Sequence, residues 1–159
     1  MKILIALVVL ILIGSGTAIF LIQKDYREKR MIGLSVADRY NGSKKASFLV
    51  EIADDAAKRA KGLMFRDELP KNEGMIFVFQ DQKDRVFWMK NTKISLDMIF
   101  INRDGQIVGL LKSTRPESTR PLSVGVDSSY VLEVNAGLAE KYDIKEGDLI
   151  KGLEKIYPL

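Results

Sequence analysis

Apolar and polar positions alternate along this chain in short runs, and the densest of these lie between Gly62 and Phe100. Phe48-Leu49-Val50-Glu51-Ile52 reads as a first strand of aromatic and branched residues. Asp54 or Asp55 is placed to cap a short helix running through Arg59, and Gly62 to stop it. Residues 75–79 and 86–89 are short apolar runs, expected as strands. Residues 96–102 and 106–111 flank Arg103-Asp104-Gly105, whose Asp-Gly step tolerates the positive φ of a tight hairpin turn. Residues 130–134 form a further strand, Asn135 is expected to cap a short helix reaching about Tyr142, and Gly147-Asp148 turns the chain into a last strand over 149–156. Seven short strands and two short helices predict a mainly β (α+β) domain built as a small, partly closed, barrel-like sheet.

One segment stands outside this pattern. Ser113-Thr114-Arg115-Pro116 recurs as Ser118-Thr119-Arg120-Pro121 with only Glu117 between. The stretch 113–129 is longer than most loops in compact domains, and loops of that length are usually functional or mobile.

The N-terminal pattern is of another kind. Residues 3–22 carry no charge, and about 20 such residues suffice for a transmembrane helix. Gly16-Thr17-Ala18 resembles a cleavage site, but Ile19-Phe20-Leu21-Ile22 continues the apolar run beyond it. The expected organisation is therefore a membrane anchor or signal sequence over 1–23, a juxtamembrane spacer over 24–45 and one β-rich domain over 46–159. Lys24, Arg27, Lys29 and Arg30 behind the span favour a cytoplasmic C-terminal side, whereas a short leader commonly exports the domain behind it.

Charge narrows the partners. The net charge is +4, of which +3 lies in residues 1–30, leaving +1 for residues 31–159. A basic juxtamembrane segment suits anionic lipid headgroups. A nucleic-acid binder would concentrate basic charge in its folded domain, so no nucleic-acid partner is expected. The absent residues narrow the chemistry. Without Cys there is no disulfide, thiolate nucleophile or zinc–thiolate site, and without His there is no imidazole base or ligand. No metal and no cofactor is expected.

The candidate site residues are Arg66, Trp88, Lys90, Asn91, Thr92, Asp97 and Glu133, polar groups and one indole set among apolar runs. If Arg66 pairs with Asp97 or Glu133, the pair can simply fix the fold, and this is the commoner arrangement. If the set converges in a cleft, it forms a small-ligand site. Arg66→Met should unfold the domain in the first case and spare it in the second. Trp88 reads first as core and second as a stacking platform for a flat ring. Met64, Met75, Met89 and Met98 read as gap-filling core residues rather than a Cu(I) site, because their spacing makes no compact motif. Lys93 and Ser95 are close enough for a hydrolytic dyad but lack a glycine-tight elbow. Asp81 and Asp84 lack the spacing of a calcium loop. The Ser-Thr-Arg-Pro units read as a solvated basic loop before an anion clamp.

The ordered motifs Gly62-Leu63-Met64-Phe65-Arg66, Gly74-Met75-Ile76-Phe77-Val78-Phe79, Phe87-Trp88-Met89-Lys90-Asn91-Thr92, Leu96-Asp97, Val131 to Gly137 and Ile144-Lys145-Glu146-Gly147-Asp148 resemble the domain of unknown function 192 family over about residues 46–153. Ser95 departs from the Pro common at its position. The resemblance implies a compact, mostly-β domain, often behind a signal peptide or anchor, in bacteria and archaea. It offers no catalytic residues to carry over, and its frequent export signals favour an extracytoplasmic domain. The expectation is a single-pass protein of the cytoplasmic membrane, held in the bilayer through residues 3–22. Its outer domain would bind a small polar ligand, a carbohydrate or a cell-envelope component. The alternatives are a His-independent hydrolase or lyase, with Asp97 or Glu133 as general base and Arg66 as electrostatic stabiliser, and a purely structural envelope protein. A carboxylate of raised pKa in a cleft would favour the enzyme, and a pocket without one would favour binding.

Overall fold

The computed structural model describes residues 31–156. The anchor expected over 1–23 lies outside them, and no helix among the described residues is long and apolar enough to cross a membrane. Seven strands form one sheet: β1 (Met31–Ala37), β2 (Lys44–Ala53), β3 (Glu73–Asp84), β4 (Leu96–Ile101), β5 (Ile107–Leu111), β6 (Asp127–Asn135) and β7 (Leu149–Lys151). Their order is β5-β4-β6-β3-β2-β1-β7. Ile107 N donates to Asp148 O at 2.8 Å and Ile150 N to Gly105 O at 2.7 Å, so the two outer strands meet near the β4–β5 turn. The sheet thus curls into a half-barrel, as the strand pattern predicts. The β2–β3 pair is parallel. It therefore needs a crossover, and this contains the short helix α1 (Ala56–Lys61).

Period-two alternation sorts the side chains. Ile76, Val78, Ile99, Ile101, Leu132 and Val134 face the half-barrel interior with Val36, Phe48 and Val50. Their neighbours Met75, Phe77, Met98, Phe100 and Val131 face outward into a second core with Leu63, Leu69, Met89 and Leu96. Strands β3, β6 and β4 are buried on both faces, which is why they read as continuous apolar runs.

Four local expectations are revised. Residues 31–37, assigned to a spacer, form a strand paired with β7, with Leu34 and Val36 in the core. Gly33 and Ser35 interrupt its apolar signal. Residues 86–89 are not a strand. The segment crosses the outer face of the sheet, and its hydrogen bonds go to the long loop: Phe87 N donates to Leu122 O, Leu122 N to Phe87 O, and Met89 N to Ser118 O. That loop is accordingly tied down over its first half, with Thr114 buried and its hydroxyl donating to Leu96 O at 2.9 Å. Asn135 caps no helix. It ends β6, and its amide donates to Leu69 O and Pro70 O. Helix α2 (Leu138–Lys141) starts after Gly137, at φ 83°. The last strand stops at Lys151, because Gly152 at φ 98° turns the chain into a 3-10 turn over Leu153–Lys155.

Candidate functional site

The outer face of β3, β6 and β4 is roofed by three segments: the C-terminal end of α1 with residues 62–64, residues 84–92, and the long loop behind them. Asp55 starts α1 by accepting a hydrogen bond from Lys58 N at 2.7 Å, and Gly62 ends it at φ 47°. A Cβ at Gly62 would press against the Phe77 ring at 3.2 Å, so glycine lets the helix end lie close over the sheet. Phe87 drops into the face with its ring edge-on to Phe77, Phe79 and Phe100, at centroid distances of 5.1, 6.5 and 6.0 Å. Between helix end and crossing segment the roof leaves a pocket of about 650 Å³. Apolar walls come from Leu63, Met64, Phe77, Phe79, Phe87 and Trp88, and polar groups from Arg59, Lys61, Asp84, Arg85, Thr92 and Glu133.

Glu133 distinguishes this pocket. Its neighbours across the ladder are Met75 on β3 and Met98 on β4, so its side chain lies on the outward face and lines the pocket. It is only 4 % exposed. Among the described residues nothing hydrogen-bonds to or pairs with its carboxyl, and burial alone pushes its pKa up to about 8. Desolvation penalises the charged form, so at neutral pH this group is mostly the neutral acid.

Asp97 is the opposite case. Its register partner is Val134, which turns its side chain to the other face of the sheet. One carboxylate oxygen accepts from Ser113 N at 2.9 Å and the other from Ala139 N at 2.8 Å. It thereby holds the start of the long loop and caps α2 from a distant strand, the duty expected of Asn135.

The remaining candidates scatter around the pocket. Arg66 pairs with neither Asp97 nor Glu133. It makes two parallel hydrogen bonds, at 2.9 and 2.8 Å, to Glu51, which lies opposite Met75 in the same cross-strand row. Trp88 is 52 % exposed at the pocket rim, which corrects the core reading. The Lys90 ammonium lies 5.6 Å from its ring centre. Asn91, at φ 56°, works through its backbone, accepting from Phe65 N, itself at φ 64°. Thr92 is buried in the pocket wall, its hydroxyl donating to Lys90 O at 3.3 Å. The pocket thus gathers Trp88, Thr92 and Glu133, with the Lys90 ammonium over the indole ring but outside the lining.

The hydrolytic dyad does not form: Lys93 bonds Asp67 at 2.6 Å, and the Ser95 hydroxyl donates to Thr114 O at 2.7 Å. Met75, Met89 and Met98 are core residues. Residue-by-residue reading passed over Arg59, Lys61 and Arg85. Arg59 donates to Asp54 O and Val78 O, and Arg85 to Ser128 O and Asp81, while their guanidinium carbons lie 5.2 and 4.0 Å from the Phe79 ring centre. Arg59 just before Gly62, and Arg85 beside the Phe87-Trp88 pair, were the available signals.

The chain belongs to the DUF192 family, Uncharacterized ACR, whose pattern it matches over residues 37–152. No curated protein matches it. Among solved structures, a protein from Sinorhizobium meliloti 1021 described as a "putative transcription regulator" is 32% identical, with a TM-score of 0.72 over 76% of this chain and 92% of that one. A protein of unknown function from Novosphingobium aromaticivorans DSM 12444 is 36% identical, with a TM-score of 0.71 over 77% of this chain and 85% of that one.

Proposed function

We propose that this member of the DUF192 family is a binding module whose site is the Glu133 pocket, and that residues 3–22 tether it to the cytoplasmic membrane with the domain outside. The observation that carries the binding reading is Glu133 itself, a buried acid at an open cavity with no partner among the described residues. Buried polar groups are nearly always satisfied by the fold that buries them. One left unmatched at a cavity of this size, walled by aromatic rings, is suited to a group brought by a small molecule. The indole of Trp88 at the rim offers a flat face for the ligand body. The uncharged run over 3–22 and the basic residues behind it support the tether.

Glu133 is a carboxylate of raised pKa in a cleft, the feature expected to favour an enzyme, so a hydrolase or lyase is the second reading. A neutral carboxylic acid in a cleft can donate a proton to a bound substrate. Its proposed helpers are engaged elsewhere, however: Arg66 with Glu51, and Asp97 with two backbone amides. A regulator of transcription, the description given to the Sinorhizobium protein, would need a basic folded domain, and residues 31–159 carry a net charge of only +1.

Trp88 is the only tryptophan, so its fluorescence reports on the rim without ambiguity. A screen of sugars, amines, acids and envelope fragments against that signal should give saturable quenching by at least one class. That response should be weakened or lost on filling the pocket with Met64→Phe, which keeps Trp88 as the reporter. A flat response to every class contradicts the reading. Resistance of the full-length chain to alkaline extraction from membranes, with protease access from outside, tests the tether.

A further inference from the structure

Three acids are fully or nearly buried among the described residues, and two have been given partners by the fold. Asp97 receives two backbone N–H groups. Asp148 receives the Lys45 ammonium at 2.9 Å and Lys145 N at 3.0 Å. Glu133 receives none among the described residues, and of the three it alone lines the pocket described above. Resting on the pocket reading above, we propose that the occupant is a small organic monocation, a protonated amine or quaternary ammonium, whose charge supplies the partner Glu133 lacks.

The walls agree with this. Cations are attracted to the faces of aromatic rings, and the chain already uses rings at this site that way. Arg59 and Arg85 lie over Phe79, and Lys90 over Trp88. Phe77, Phe87 and Trp88 line the same pocket, so a ligand cation there has aromatic rings beside it. The charged groups around the cavity are Arg59 and Lys61 from α1, and Asp84 and Arg85 at the end of β3. Farther along the same sheet face lies the Glu51–Arg66 pair. Arg59 and Arg85 are held by carbonyls and Asp81, and Asp84 by the Ser123 hydroxyl. None of them reaches Glu133 with enough charge to offset its burial. The basic groups Arg59, Lys61 and Arg85 repel any cation that enters, and this repulsion grows with ligand charge, which disfavours a polyamine more than a monocation.

Binding must then ionise the acid: the Glu133 proton leaves to solvent and the ligand cation takes its place. Affinity should rise with pH by about 100-fold between pH 6 and pH 9, levelling off above about 8. A neutral ligand held by the protonated acid would show the reverse trend.

The test is calorimetric titration of the full-length chain in non-ionic detergent. The probes are choline and benzyltrimethylammonium, the neutral carbon isostere 3,3-dimethylbutan-1-ol, and the anion 3,3-dimethylbutanoate. The cations should bind at least about 30-fold tighter than the isostere at pH 9, consistent with loss of a buried charge pair. Close to one proton per ligand should be released at pH 7. Glu133→Gln should abolish both the pH dependence and the charge preference. Independently of that variant's folding, Lys61→Glu at the exposed mouth should tighten cation binding several-fold. An isostere that binds as well as choline, or an affinity that falls with pH, overturns the cation assignment and leaves the pocket reading standing. Failure of all the probes, with no other class quenching Trp88, overturns both.

Discussion

Asp97 and Glu133 lie on adjacent strands, one residue out of register, and their surroundings could hardly differ more. Asp97 opposes Val134 and points to the face where α2 and the long loop begin, and both its oxygens are filled by backbone N–H groups. Glu133 opposes Met98 and points to the other face, among methionines and aromatic rings, with no hydrogen-bond or ion-pair partner among the described residues. A one-residue shift on a pleated sheet reverses the face, and here it separates an acid that stabilises the fold from one that costs it stability. The difference gives each residue its role: the satisfied carboxylate belongs to the architecture, and the unsatisfied one to whatever enters the pocket.

The contrast can be broken by mutation, most severely at Asp97. Asp97→Ala leaves two buried backbone donors without an acceptor and should cost about 4 kcal/mol in urea unfolding. Per folded molecule, ligand response at Trp88 should be unchanged. An effect below about 1 kcal/mol would mean that these amides find other acceptors.

Glu133 should behave in the opposite sense. In the unfolded chain its carboxyl titrates near 4.5 and in the fold near 8, so between those values the native state holds the extra proton. Stability from this group therefore falls as pH rises through the window, by about 1.4 kcal/mol per pH unit at most. Glu133→Met should stabilise the protein by about 3 kcal/mol at pH 8, with the gain shrinking toward pH 4. Unfolding midpoints across that range decide it, and a destabilised variant at pH 8 would reveal a partner that the fold supplies.

Arg66 sharpens the comparison from the side. Its pair with Glu51 is bidentate but about a quarter solvent-exposed, so Arg66→Met should cost only about 1 kcal/mol and leave the domain folded. Ligand response should also persist, because Arg66 does not line the pocket. The smallest stability effect is expected at the rim. Trp88→Ala should shift unfolding by no more than about 0.5 kcal/mol, as surface substitutions usually do, while weakening ligand binding several-fold.

Much of the architecture is legible in local sequence. Asp104-Gly105 fixes the β4–β5 hairpin, Asp55 and Gly62 bracket α1, and the doubly buried strands announce themselves as continuous apolar runs. What misleads is context. Residues 86–89 have the composition of a strand but lie across the sheet, exposing Val86 and Trp88, because their backbone groups bond the long loop instead of a neighbouring strand. Residues 31–37 have a weakened pattern yet close the sheet against β7. The site was half legible. Trp88, Thr92 and Glu133 do meet, since they sit on segments that cover or form one sheet face. Asp97 and Arg66 do not join them, because parity and pairing partner emerge only once the strands are in register. No motif distinguishes a carboxyl whose partner lies 42 residues away, as Ala139 does from Asp97, from one that has none.

The most direct measurement is a carboxyl carbon-13 NMR titration of the protein labelled at its glutamates, with Glu133 identified by the loss of its signal in Glu133→Gln. A midpoint near 8 is the predicted result, with the signal in its neutral-acid position at pH 6. A midpoint in the ordinary glutamate range would mean that Glu133 is solvated or paired, and would contradict the account of the pocket from its foundation.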